Sequence, residues 1–319
     1  MYKSLSYKSK QFFWLIIKLS IVIGCGYFIY IKLLENKQLN FSVFTDKMVK
    51  NNVFLSKNLF FLFLFTFFNH FLEILKWKEL VSYLTKISFY EALKQNLASL
   101  TTSLITPNRI GEYGAKALYF KKNIRKQIVG LNFVGNFYQM IATLFFGSIG
   151  FIFFIIQHSV YINFFRIFKL ILLLIFLFFL IYWLTKKIDF KGYSWSRSKN
   201  FIKKIPLKLN LKVGFISFLR FIIFSHQFYF LLFIFNVDIS YINAISAIVS
   251  VYFIASIVPM LSLFDVVLKG TVAVWIFTYF TIDALTVLSI TTLMWIFNFV
   301  IPAILGSYFV IIFKPNFTK

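Results

Sequence analysis

Apolar runs too long for the core of a soluble domain decide what this chain can fold into. The hydrocarbon core of a bilayer is about 30 Å thick, and a helix crosses it with about 20 residues. Runs at 12–34, 58–84, 127–157, 163–185, 212–236 and 283–313 reach that length. Two more, at 88–121 and 240–280, are long enough but broken in the middle, the first at Pro107 and Gly111, the second from Pro259 to Asp265. In lipid every backbone N–H and C=O must be satisfied within the protein, and irregular backbone survives only against protein or a water-filled cavity. The chain therefore reads as an all-α integral membrane protein of about six transmembrane helices plus two broken helix hairpins.

Charge supports that reading and orients it. Only 14% of the 319 residues are charged, against roughly a quarter in soluble domains, yet the net charge is +24. The excess lies in short segments between apolar runs, which points to the positive-inside pattern and to anionic lipid rather than to nucleic acid. Lys121, Lys122, Arg125 and Lys126 follow the first broken run, and residues 186–212 hold nine basic residues against Asp189. The connections at 158–162 and 236–243 hold no Lys or Arg. A cytoplasmic N-terminus with both broken runs re-entrant puts the dense basic loops inside. Full crossings, the alternative, put one of them outside. The connection at 35–57, with Lys37, Lys47, Lys50 and Lys57, fits an outside position less well, and its stretch Phe41–Lys50 reads as an amphipathic interfacial helix. The expected location is a multi-pass position in a bacterial cytoplasmic membrane.

The basic segment 1–11 leads into a run longer than the apolar part of a signal peptide and without a clear cleavage site, so an uncleaved first helix is expected. The single cysteine, Cys25, excludes an intramolecular disulfide. One transmembrane domain is expected over 1–319. It divides into an N-terminal helix and interfacial segment (1–56), a first unit (57–157), a connecting helix and basic loop (158–211) and a second unit (212–319).

The two units share traces of sequence. Ala98-Ser99-Leu100 matches Ala255-Ser256-Ile257, and Leu118-Tyr119-Phe120 matches Trp275-Ile276-Phe277, in one ungapped register. The preceding runs contain His70 and His226. With the topology above, the units are inverted repeats, a transporter plan whose binding site lies at paired interrupted segments.

The chemistry concentrates at those interruptions. Arg109, Glu112 and Lys116 stand three and four residues apart, on one face of a helix that starts near Pro107. Pro107 suits a helix start, Gly111 and Gly114 allow close backbone approach, and the helix N-terminus beside Arg109 would hold an anion such as phosphate. Lys116 is expected to snorkel to the headgroups. In the second unit Lys269 takes the place of Glu112, next to Gly270, and Asp265 that of Asn108. Asp265 and Lys269 are spaced for a salt bridge, and Glu112 and Lys269 could pair across the two units.

Secondary candidates are Glu73, Asn136 and Arg220. Glu73 stands near Lys76 and Lys78, where a solvated local pair competes with a functional role, and Arg220 is expected to snorkel. Asn132, Asn136 and Tyr138 could touch a substrate or bond neighbouring helices. His70 and His226 read as core histidines, and Asn298 and Pro302 as a kink with helix-to-helix bonding. No HExxH, GxSxG or Walker loop is present, the three histidines are scattered, and neither an enzyme, a metal nor a cofactor is indicated.

The motif Pro107-x-Arg109-x-Gly111-Glu112, with Trp77 in the preceding helix, the approach Leu97–Thr102 and the chain length, resembles the lysylphosphatidylglycerol synthase transmembrane region, the flippase-like membrane family. The resemblance covers the whole chain but is specific over about a dozen residues. It implies movement of an anionic-headgroup lipid, a phospholipid or lipid-linked substrate, across the bilayer. No aminoacyl-transferase domain is expected after the last run, so the resemblance does not imply lysyl transfer. The segment from Pro259 to Gly270 departs from the family's Gly-rich, Glu-containing motif, with Lys269 in place of the acid. That favours a more anionic headgroup. The alternatives are a secondary transporter of a soluble anion and a non-transporting partner of a lipid-modifying enzyme. Oligomeric state is open, a homo-oligomer included.

Overall fold

A computed structural model describes residues 7–34, 41–106, 109–159, 200–257 and 265–314. Pro107, Pro259, the side chain of Asp265 and the run at 163–185 lie outside the described residues. The described elements are helical: α1 (Tyr7–Leu34), α2 (Phe41–Lys50), α3 (Ser56–Ser82), α4 (Phe89–Leu104), α5 (Ile110–Leu118), α6 (Arg125–His158), α7 (Leu207–Ile234), α8 (Tyr241–Ile257), α9 (Asp265–Thr278), α10 (Ala284–Trp295) and α11 (Ile301–Ile312). Four helical stretches are long and apolar enough to cross a membrane: α3, α6, α7 and the continuous stretch Ala284–Ile312 made by α10 and α11.

The long helices show the surface that lipid demands. Phe60, Phe63 and Phe67 on α3, Ile149, Ile152 and Ile156 on α6, and Ile304, Leu305 and Tyr308 on α11 are all exposed. In water so much exposed apolar surface marks an interaction site, and in a bilayer it is the ordinary outer face.

The first interrupted run breaks between α4 and α5, and the second is described as two helices, α8 and α9, on either side of its expected interruption. α4 has 16 residues and α5 has 9, so at 1.5 Å per residue each falls short of an approximately 30 Å core. α4 packs back against α5, and α8 packs likewise against α9. Ser88 starts α4 through a capping box, its hydroxyl accepting from the Glu91 N–H while the Glu91 carboxylate accepts from the Ser88 N–H. Ser240 caps the start of α8, its hydroxyl accepting from the Asn243 N–H.

The last helices lock the two halves together. α6 of the first half runs along α8, α11 of the second runs along α4, and α3 and α7 pack on each other. Glycines permit the close approaches: a Cβ on Gly147 would stand 2.6 Å from Cβ of Phe253, one on Gly150 would overlap Val249, and one on Gly306 would strike the Leu97 carbonyl. Thr101 on α4 donates to the Ala303 carbonyl on α11 at 2.9 Å.

α2 is amphipathic, but its apolar side does not simply rest on lipid. Phe44 and Met48 are buried in the main hydrophobic core, and Lys47 binds Asp283 and Thr286 at the start of α10. The helix has the expected bounds, Phe41–Lys50, and is docked on protein.

Candidate functional site

A cavity of about 280 Å3 lies where the halves meet. Six of the sequence candidates converge on it: Glu73, Arg109, Glu112 and Asn136 from the first half, and Arg220 and Lys269 from the second. Gly111, Lys116 and Gly270 stand behind the wall rather than in it.

On the first-half side, Arg109 precedes α5 with φ 55, in the left-handed region that a non-glycine residue enters at a cost. The tip around it is tightly packed. The Gly111 N–H donates to the Thr106 hydroxyl at 2.9 Å, and a Cβ on Gly111 would lie 2.5 Å from the Thr102 carbonyl oxygen. One helix-start donor is thus already used, and Glu112 occupies the first turn, where the helix dipole favours its charge. The expected anion cradle at the helix N-terminus is therefore weaker than the spacing suggested. Side-chain cations carry the positive character instead.

Glu112 is 6% exposed and held from two directions: Lys116 donates at 2.9 Å, and the Arg109 guanidinium stands 3.6 Å away. Lys116, at 1% exposure, also donates to Asn132 at 2.8 Å and lies 4.4 Å from the Trp77 ring centre. The snorkelling expectation for Lys116 is overturned. An ammonium with a carboxylate, an amide oxygen and an indole face around it has no reason to seek the headgroups. Among the described residues, the ion pairs of Glu112 are with Arg109 and Lys116, not with Lys269.

A second carboxylate repeats the arrangement. Glu73 pairs with buried Lys76 at 2.7 Å and with Arg220 at 2.6 Å. The Arg220 guanidinium also donates to Asn69 at 2.8 Å and to Gln139 at 3.2 Å. The snorkelling expectation for Arg220 fails here, and the alternatives left open at Glu73 are decided against a solvated pair. Arg220 reaches inward across the seam instead of snorkelling, and Glu73 belongs to a buried network instead of a solvated pair. In each cluster a carboxylate sits between a lysine behind the wall and an arginine on the cavity.

Phe299 joins the halves again, with Arg109 5.6 Å and Lys269 5.8 Å from its ring centre. It lies in a π-helical turn, Ile296–Val300, between α10 and α11. Pro302 has no N–H to give to the Asn298 carbonyl four residues earlier, and His70 donates to that carbonyl through Nε2 at 3.2 Å. The Asn298 side chain bonds Asn69 and Gln227. The expected kink and bonding are present, and they shape the cavity wall.

Sequence reasoning passed over several lining residues. α4 presents Asn96, Ser99 and Leu100, and α8 presents Tyr252, Ala255 and Ser256, at one common i, i+3, i+4 spacing. Gln139 and Thr143 extend the face of α6 that carries Asn136. Helix-period polar stripes could have found them: Asn69, Glu73 and Lys76 on α3, and Asn132, Asn136, Gln139 and Thr143 on α6. Tyr252 gave no such signal, because a tyrosine in an apolar run reads as packing. Asn136 accepts no strong contact from the wall but donates to the Tyr113 hydroxyl at 3.0 Å, and His226 bonds Tyr241 away from the cavity. Among the described residues, no group of three or more His, Cys, Asp or Glu side chains could hold a metal ion.

Around the cavity and directly behind it stand five cations (Lys76, Arg109, Lys116, Arg220, Lys269) and two carboxylates (Glu73, Glu112) among the described residues. Charge buried as deeply as that of Lys76 and Lys116 is costly unless compensated, and Glu73 and Glu112 compensate it. No family model matches the chain, and no curated protein or solved structure does either.

Proposed function

We propose that this chain binds and translocates a lipid or lipid-linked anionic headgroup across a membrane, with the headgroup passing through the cavity at the seam. The observation that carries the reading is the convergence of Arg109, Arg220 and Lys269, from both halves, on one polar cavity. Arg109 and Lys269, one from each half and both against Phe299, are the groups that take the anion. Glu73 and Glu112 balance charge when the site is empty. Lys76 and Lys116 keep those carboxylates neutralised when an arginine turns to the ligand.

The halves act as inverted repeats, each with a re-entrant hairpin. The reciprocal packing of α6 on α8 and of α11 on α4 supports this, as does the back-packing of helices too short to cross. Loop charge supports a cytoplasmic N-terminus, in keeping with a bacterial cytoplasmic membrane as the location. The motif around Arg109 and its resemblance to the flippase-like family agree with the reading. A cavity beside Arg109 favours transport over a purely structural partner, whose centre would be filled. The aromatic part of the wall, Phe221, Phe224 and Phe299, favours an amphiphile over a wholly polar anion.

Reconstitution into liposomes with labelled phospholipids tests the proposal. Wild-type protein moves an anionic lipid between leaflets, while Arg109→Ala and Lys269→Gln, folded to the same degree, lose most of that activity. Equal movement by all three proteins would falsify it.

A further inference from the structure

Next to the polar cavity lies a smaller apolar pocket of about 30 Å3, lined by Phe224, Phe228, Met294, Trp295 and Phe299. The two spaces share walls at Tyr252 and Lys269. Tyr252 is only 8% exposed, and among the described residues nothing hydrogen-bonds its buried hydroxyl. A buried phenol without a partner costs free energy, so its retention at the wall of a cavity points to a partner supplied by a ligand.

We infer that Tyr252 and the aromatic pocket form a subsite for a phosphate monoester whose apolar carbon chain begins at the ester oxygen. This rests on the anion reading above and narrows it. The Tyr252 hydroxyl and Lys269 ammonium hold the oxyanion on the second-half side, and the first carbons enter between Phe224, Phe228 and Phe299. The pocket has room for about two to three carbon atoms. Val251 and Thr291 complete a mostly apolar lining, and the Thr291 hydroxyl already donates to the Leu288 carbonyl at 3.0 Å, so a chain with oxygens directly after the phosphate fits it poorly. The shared chemistry is an alkyl or isoprenyl phosphate, whether a membrane lipid or a soluble ester.

Calorimetry on the purified full chain, with methyl phosphate and butyl phosphate as probes, tests the subsite. Each buried methylene is worth about four-fold in affinity, so butyl phosphate binds at least about ten-fold more tightly than methyl phosphate. Tyr252→Phe weakens both esters by about three- to ten-fold. Thr291→Leu, which fills the small pocket, brings butyl phosphate down to the level of methyl phosphate.

Equal affinity of the wild type for the two esters overturns the subsite and leaves the anion site standing. Unchanged binding by Tyr252→Phe removes the hydroxyl from it. No binding of either ester by folded wild type overturns the anion reading and the subsite with it. A vesicle arm separates the two sources: movement of dodecyl phosphate between leaflets identifies a lipid, and transport of butyl phosphate alone identifies a soluble ester. Either result supports the subsite.

Discussion

Glu73 and Arg220 form a 2.6 Å ion pair across the seam between the two halves, with Lys76 on the same carboxylate oxygen. Neither arginine nor carboxylate belongs to the motif that dominates the sequence. The pair nevertheless fixes α3 against α7 at the depth of the cavity, and Asn69 and Gln139 complete the shell around the guanidinium.

Removing the Arg220 guanidinium leaves Glu73 with Lys76 alone and takes a donor from the Asn69 and Gln139 oxygens, at about 1–3 kcal/mol for each buried group left unsatisfied. Arg220→Ala should therefore lower thermal stability in detergent sharply. Combining Glu73→Gln with Arg220→Met and Lys76→Met should recover a large part of the loss. A single variant as stable as wild type would mean that the pair does not hold the halves together.

Arg109 should behave differently. Its contact with Glu112 is 3.6 Å long, its side chain is 45% exposed, and Lys116 remains on Glu112 without it. Arg109→Ala is expected to cost less than about 1 kcal/mol of stability while weakening anion binding by ten-fold or more. Lys116→Ala reverses the pattern, with a large stability loss that Glu112→Gln partly repairs. Thermal unfolding beside a binding isotherm separates the two variants.

Exchanging the charges of Glu112 and Lys269 should not restore function. Glu112 is held by Lys116 and Arg109, so a lysine at 112 meets two cations whatever stands at 269. Recovery of lipid movement by the double exchange, relative to the single variants, would show a direct pairing instead.

At Gly111 the new Cβ of alanine would meet the Thr102 carbonyl at 2.5 Å. The hairpin tip must open, at roughly 1–3 kcal/mol, and Arg109 moves with it. Gly111→Ala should lose activity more than stability, whereas Gly114→Ala, with open space at its Cβ, should change neither. Transport and unfolding assays on the pair of variants provide the check.

Outside the membrane-spanning segments, Asp283 has a testable pH dependence. The hydrogen bond from Lys47, helped by those from Thr286 and opposed by partial burial, holds its carboxyl below the ordinary value. A depressed carboxylate contributes above its unfolded value and loses that contribution as pH falls through the folded one. Docking of α2 should be constant from pH 5 to 8 and loosen below about pH 4, as hydrogen exchange at 41–50 would show. Asp283→Asn should abolish that acid step.

Much of this was legible in the chain because lipid makes strong demands. The interruption between α4 and α5 was legible as backbone that protein or water must shelter, and rare charges such as Arg109 could only face protein or water. What stayed hidden was which charge meets which. Lys116 and Arg220 have side chains long enough to snorkel or to turn inward, and helical spacing alone cannot choose between these. The choice is made by Asn132 and Trp77 in one case and by Asn69 and Gln139 in the other, partners contributed by other helices. The role of Asn298 was hidden for a similar reason: it depends on what Pro302 withholds from its carbonyl and on His70 being there to use it.

The seam also has a consequence for how the molecule is made. During synthesis Glu73 enters the membrane with Lys76 beside it, long before Arg220 leaves the ribosome. The face of α4 that receives Gly306 stays uncovered until nearly the whole chain has been translated. The first half by itself therefore carries a charge and an open helix face that only later helices can cover.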